Sequence, residues 1–219
     1  NLSVLSSGRA TSTGSGISAY TDLPGDQTLP FLHIESVNAS GFGRNGIEVV
    51  SGAGASGFQD VTIKFVATWD NAMNGILTYA PLAGAHRNVY VGYSKSFNNP
   101  GIESSESTGN GIVLGGVQGA IVERNVVSGN GTGALGVHGP IGVWAYYSSD
   151  VRIQFNESFN NRTAGWADGG GFGLDVGVTN STMQYNYSHG NDGAGLLLAG
   201  GFDAADHAHN IVRYNISEN

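Results

Sequence analysis

One short phrase returns along this chain at a nearly constant interval. It reads "VERNVV" around Asn125, "IQFNES" around Asn156, "MQYNYS" around Asn186 and "VRYNIS" around Asn215, with the asparagines 31, 30 and 29 residues apart. Upstream it weakens but persists. "NVYVGYSKSFNN" (88–99) matches "DVRIQFNESFNN" (150–161) at two periods, and "DVTIKFVATWDN" (60–71) stands one period earlier still. A second phrase keeps the same cadence: "NGIEVV" from 45, "NGILTY" from 74, "NGIVLG" from 110, then "GPIGVW", "GGFGLD" and "GAGLLL". A fixed period of about 30 residues marks stacked repeats, because no single unit can bury its apolar face alone.

Within a unit the apolar residues alternate rather than following helical spacing. In "VRIQF", Val151, Ile153 and Phe155 fall on one face and Arg152 and Gln154 on the other, the period-2 signature of a strand. The pattern predicts an all-β fold: a right-handed parallel β-helix, a solenoid with about three short strands per turn and one domain over residues 1–219. Its coils would stack about 4.8 Å apart, the spacing of neighbouring strands. The recurrent asparagine is expected at the tight turn, in the left-handed conformation it tolerates well. Stacking would align these amides into a hydrogen-bonded ladder. The chain starts and stops within a phrase, and neither end reads as a polar cap. The expectation is therefore a piece of a longer solenoid lacking one or both caps, or one that stacks end to end.

Composition supports this and narrows the partners. The chain has 36 glycines, 40% apolar residues and 12% charged residues. That is too apolar for disorder and rich in residues that make turns. Net charge is −8 and no basic stripe exists, which argues against nucleic acid. No apolar run approaches the roughly 20 residues of a membrane helix. There is no cysteine, hence no disulfide and no thiolate metal site.

With these repeats the chain resembles the right-handed β-helix superfamily: pectate lyases, polygalacturonases, alginate lyases and epimerases, and bacterial parallel β-helix repeat proteins. The stretch "DGGGFGLDVGVTNSTMQYNYSHGNDGAG" (168–195) looks most like the bacterial repeat proteins associated with sugar binding or hydrolysis. The resemblance covers the chain from about residue 30. It implies an extracellular or cell-surface protein acting on a polysaccharide, with no required cofactor; calcium would be expected for a lyase. Such proteins often carry Asp where this chain has Gly173, a departure that bears on catalysis.

Insertions fall at one place in the repeat: 100–109, 131–139 and 162–171. Loops on a rigid stack are where function concentrates. They bring Glu103, Glu106, His138, Trp166 and Asp168 to one edge. With Ile47, Ile76, Ile112 and Ile141 inside, the adjoining strands turn Glu48, Leu77, Tyr79, Val113, Trp144 and Asp175 outward. Tyr79, Trp144 and Trp166 would hold sugar rings, and Glu103 and Glu106 would bind hydroxyls. Asp168 and Asp175, with His138, are the catalytic candidates, since glycoside hydrolysis needs a carboxyl pair. Each has a plainer reading too: Asp168 as a turn residue, Asp175 as a solvated strand end, His138 as a loop residue. Arg162 is the only basic side chain in the insertions, which favours hydrolysis over base-driven elimination. The loop "GGFDAADHAHN" offers Asp203, Asp206, His207 and His209 as a possible metal set, or simply as a polar loop. A non-catalytic adhesin, surface stalk or glycan-binding segment is the alternative function.

Overall fold

The computed structural model describes residues 2–200 and 207–218. Every strand in it pairs in parallel with strands three positions away in the chain, so the backbone winds through three sheets in turn. Sheet I contains β1 (Leu2–Leu5), β4 (Val37–Ser40), β7 (Ala67–Trp69), β10 (Lys95–Phe97), β13 (Val126–Ser128), β16 (Glu157–Phe159), β19 (Tyr187–His189) and β22 (Ile216–Glu218). Sheet II contains β2 (Ile17–Thr21), β5 (Ile47–Ser51), β8 (Asn74–Tyr79), β11 (Asn110–Gly115), β14 (Ile141–Tyr146), β17 (Gly170–Leu174) and β20 (Leu196–Leu198). Sheet III contains β3 (Thr28–Glu35), β6 (Gly57–Lys64), β9 (His86–Gly92), β12 (Val117–Glu123), β15 (Ser149–Gln154), β18 (Thr182–Gln184) and β21 (Ile211–Arg213). The expected solenoid of three strands per coil is what forms. It already includes β1 and β2, a coil earlier than the repeat is visible in the sequence.

The core is a set of stacked columns. Ile34, Ile63, Val91, Val122, Ile153, Met183 and Val212 line up across sheet III. Ile47, Ile76, Ile112, Val143, Phe172 and Leu196 do the same across sheet II. The inward column of sheet I is smaller: Ala39, Thr68, Ser96, Val127, Ser158 and Ser188. Its hydroxyls are buried and therefore need partners. Ser96 Oγ donates to the Gly111 carbonyl and Ser158 Oγ to the Gly171 carbonyl, each at 2.9 Å.

The asparagine ladder exists, but the turn works differently from the expectation. Left-handed backbone falls on the residue before the asparagine, or before Val66 and Ser94 in the two coils that lack one: Phe65, Tyr93, Arg124, Phe155, Tyr185 and Tyr214 all have φ between 53° and 56°. That reversal swings Phe155 to the outside, where it stacks on Tyr185 at 5.1 Å, and Tyr185 on Tyr214 at 5.2 Å. Phe155 is therefore not a core residue with Val151 and Ile153. The asparagine turns inward instead. Asn125, Asn156 and Asn186 each donate an Nδ2 hydrogen to the Oδ1 of the next asparagine in the stack at 3.0 Å, the last acceptor being Asn215. A second ladder runs through Asn71, Asn99, Asn130, Asn161 and Asn191 between sheets I and II.

One alignment in sheet II is also corrected. Ile112 pairs with Val143, and Ile141 pairs with Gly170. The phrase "GPIGVW" is thus displaced by two residues relative to "NGIVLG". Ile141 is buried, but it packs with the outward-facing Val113 and Trp144 rather than in the interior columns.

Candidate functional site

The outward residues of sheet II form the floor of a long cleft, and the insertions form its wall. Registered across the sheet, Glu48, Leu77, Val113, Trp144, Gly173 and Leu197 make one row. Tyr20, Val50 and Tyr79 belong to a neighbouring row, and Gly115 and Tyr146 pair within the next strands. The inserted loops stack on one another as expected. Gly133 N donates to the Pro100 carbonyl, Ala164 N to the Ala134 carbonyl, and Ser107 Oγ to the Gly139 carbonyl. The enclosed space is about 790 Å³, and Glu106, His138, Asp168 and Asp175 line it together with Tyr79, Trp144 and Tyr146.

Asp168 and Asp175 therefore open into one cleft. Asp168 sits in a left-handed turn (φ 52°) at the end of the third insertion. Its Oδ2 accepts the Gly139 N–H at 3.1 Å. Asp175 follows β17, where its main-chain N–H reaches the Ala145 carbonyl at 2.9 Å. Its Oδ1 accepts the Val176 N–H at 2.6 Å. Burial raises both carboxyls above the usual range. For Asp168 the Gly139 N–H opposes this, while the charge of Asp175 pushes it higher still. Around Asp175 the Val176 N–H, His138 and His207 all favour the ionised form. His138 opposes the upward shift at both carboxyls, so the two differ in that the charge of Asp175 raises Asp168.

The aromatic candidates separate. Tyr79 is 41% exposed on the cleft floor. Trp144 faces the cleft but is only 8% exposed. Its indole Nε1–H donates to Asn110 Oδ1 at 2.9 Å, and Tyr146 stacks on it at 5.0 Å. The open platform expected at Trp144 is a covered one, shared with Tyr146. Trp166 is 83% exposed and lies outside the cleft lining. Glu103 is exposed on the same loop as Glu106, but only Glu106 reaches the cleft. Arg162 is turned away, held by the Gly190 carbonyl and Asp192.

Gly173 is explained by its surroundings. A Cβ there would lie 3.2 Å from both Ile141 Cδ1 and Trp144 Cβ, so an aspartate would crowd the residues beneath the cleft. Among the described residues no group of three or more His, Asp or Glu side chains could hold a metal ion. Asp203 and Asp206 of the expected metal set lie outside the described residues. His207 Nδ1 instead donates to the main-chain carbonyl of Asp175 at 3.2 Å.

Sequence reasoning missed Tyr146 and a third asparagine ladder of Asn45, Asn74 and Asn110 beneath the cleft, whose far end lies at the outward-facing Glu48. The signal was present. Each of the three asparagines opens an "NGI" phrase whose isoleucine was read and whose asparagine was not.

Parallel coils stacked into three sheets, with a carboxyl-bearing cleft along the outer face of one of them, define a β-solenoid. The chain belongs to the family described as right handed beta helix region, which matches residues 15–219. It is 34% identical over 88 residues to a lacto-N-biosidase of Bifidobacterium longum subsp. longum; the aligned stretch is 40% of this chain and 5% of that protein. Its fold is similar to that of a GH136 lacto-N-biosidase from Eubacterium ramulus, with a TM-score of 0.62 and 18% identity over 93% of this chain and 37% of that one. The chain thus spans well under half the length of either protein.

Proposed function

We propose that this solenoid is the catalytic part of a glycoside hydrolase that binds an extended, uncharged glycan along sheet II. The observation that carries the reading is the meeting of Asp168 and Asp175 in one aromatic-floored cleft, the first sensing the charge of the second. Opposite faces would have spoken for a plain scaffold. The glycosidase names of the two relatives support the same class of reaction.

In this mechanism Asp168 donates its proton to the glycosidic oxygen as the bond to the anomeric carbon breaks. Asp175, ionised, supports the developing positive charge and directs the incoming oxygen of water to that carbon. Water supplies the hydroxyl on one product, and its proton restores Asp168. Elimination fits worse. Among the described residues, Arg44 is the one Lys or Arg lining the cleft. It precedes β5, four strand spacings from β17, or roughly 19 Å from Asp175, too far to take a proton there. Glu48, Glu106 and the carboxyl pair also make the cleft acidic, unfavourable for a polyuronate.

The test is reducing-end release from a panel of neutral oligosaccharides, with glycan binding measured in parallel. Asp175→Asn and Asp168→Asn should each keep the fold, because both groups border solvent and the swap is nearly isosteric. Each should lower turnover at least roughly 10²-fold, the usual contribution of a positioned acid or base. Binding should persist through Tyr79, Trp144 and Tyr146. Binding without any wild-type turnover would leave a glycan-binding scaffold. Unchanged turnover in both variants would move the chemistry away from this pair.

A further inference from the structure

We infer that Ser107, half-buried in the cleft wall, and Asn110, buried beneath it, form a positioning relay that sets at once the residue whose N–H holds Asp168 and the indole of Trp144. The inference rests on the carboxyl-pair reading for its consequence in catalysis, but its geometry stands independently of it.

The third asparagine ladder differs from the other two in where it ends. The first two pass from asparagine to asparagine along the stack. The third runs from Asn45 through Asn74 to Asn110, with Nδ2 to Oδ1 contacts of 3.0 and 2.8 Å. At the next coil, Ile141 occupies the place of an asparagine. Asn110 Oδ1 then accepts two hydrogens from that coil: the main-chain N–H of Ile141 at 2.8 Å and the indole N–H of Trp144 at 2.9 Å. Asn110 is fully buried, so these bonds have no water to compete with them.

The second Nδ2 hydrogen of Asn110 goes to Ser107 Oγ at 3.1 Å. Ser107 passes its own hydrogen to the Gly139 carbonyl, also at 3.1 Å. The Gly139 N–H is the donor to Asp168 Oδ2. The following carbonyl, that of Pro140, accepts the N–H groups of Gly169 and Gly170 at 2.9 and 3.1 Å. The segment 139–140 therefore lies across the left-handed turn of Asp168 and grips it from both sides. Only glycine fits at 139: a Cβ would strike the Ala167 carbonyl and come within 2.7 Å of Asp168 Cβ. One fully bonded network thus fixes the donor to Asp168 and the covered ring on the floor beside Asp175.

Ser107 touches neither reacting group, so it is a positioning residue acting through Gly139. Loss of its hydroxyl should free the Gly139 carbonyl, loosen the residue whose N–H holds Asp168, and so weaken a bond that favours the ionised carboxyl. The other groups around Asp168 are Asp175 and His138. Asp192, close to Gly169, is already held by Arg162 and the Thr163 N–H.

The experiment uses Ser107→Ala, with Ser107→Thr to restore the hydroxyl and Asn110→Ala as the stronger lesion. Two readouts need no turnover: the Asp168 carboxyl titration followed by ¹³C NMR, and the Trp144 indole N–H resonance with its exchange rate. In Ser107→Ala the Asp168 titration should move to higher pH and the melting temperature should stay near wild type. Indole exchange should quicken most in Asn110→Ala. On a cleaved substrate, Ser107→Ala should lower kcat at least roughly tenfold with KM little changed, as misplacement does. The basic limb of the pH profile should follow the titration, and Ser107→Thr should recover both. A wild-type Asp168 titration in Ser107→Ala overturns the relay even if Asn110→Ala fails to fold. An expected titration shift in a protein without hydrolysis keeps the relay and removes the proposed activity.

Discussion

Asn156→Ala isolates the stability that one rung of an asparagine ladder contributes. Asn156 is buried, and its Oδ1 accepts both the main-chain N–H and one Nδ2 hydrogen of Asn125, each at 3.0 Å. Its Nδ2 donates to the Val122 and Gln154 carbonyls and to Asn186 Oδ1. Alanine leaves the Asn125 N–H without its acceptor in a place water does not reach, at a cost of about 1–3 kcal/mol. Asn125 Nδ2 keeps the Val91 carbonyl, and Asn186 Oδ1 keeps the Asn156 N–H, so the remaining losses are partial. The sum is about 2–4 kcal/mol. The internal control is Asn215→Ala. Asn215 accepts the same pair of hydrogens from Asn186, but it is half-buried, so water can substitute and the loss should stay below about 1 kcal/mol. Urea midpoints for the two variants give the comparison, and amide exchange at Asn125 shows whether the damage is local. Equal losses at the two positions, or less than about 1 kcal/mol at Asn156, would refute the argument that buried ladder bonds stabilise the coils.

Two other perturbations reach different parts of the molecule. Gly115→Ala would place a Cβ against the outer end of the Tyr146 ring; the ring should swing off Trp144, lowering glycan affinity while the melting temperature moves little, and unchanged affinity would show that Tyr146 does not shape the floor. His86 is buried with Nδ1 accepting the Phe58 N–H and Nε2–H donating to the Tyr79 carbonyl, and burial holds its pKa below the ordinary 6.5. The unfolded chain then binds the extra proton, so His86 stabilises fully above about pH 6.5 and that contribution is lost as pH falls below it. Urea midpoints between pH 5 and 8 should show this slope, and it should flatten in His86→Gln.

The coils were legible because stacking forces every repeat to meet the same constraint. Val151 and Ile153 must face inward wherever the neighbouring coils put Val122 and Met183, so alternation and period survive in the residues themselves. The turn was misread for a physical reason as well. Asparagine is a good left-handed residue, and sequence alone does not say which of two adjacent positions turns over. The structure gives that conformation to Phe155, Tyr185 and Tyr214, whose rings are repaid by stacking outside the solenoid. The asparagine is thereby freed to satisfy buried main-chain groups inside. Ile141 was misplaced by the same kind of local ambiguity: this coil has no asparagine to mark the register of "NGI", and Ile141 itself stands opposite Asn110.

The cleft was only half legible, and the division follows from what fixes each residue. Asp175 was accessible to reasoning because its position follows from strand parity: Leu174 is in, so the next side chain is out. Asp168 followed from the offset of the insertions, which stack because the strands beside them do. Trp144 also obeyed parity, yet parity says nothing about cover. Its ring is sealed by Tyr146, two residues on, which the absence of a side chain at Gly115 allows, and by Asn110, 34 residues earlier. Glu103 and Glu106 are alike in sequence, but only the second reaches the cleft, since a loop's direction is set by contacts such as Ser107 to Gly139 that no periodicity encodes. A repeat scaffold therefore announces where its site lies through the regularity of its coils. It hides how the site is tuned in the few places where the regularity fails, and here the chief failure is the missing asparagine at Ile141, where the third ladder turns aside toward Trp144 and, through Ser107 and Gly139, toward Asp168.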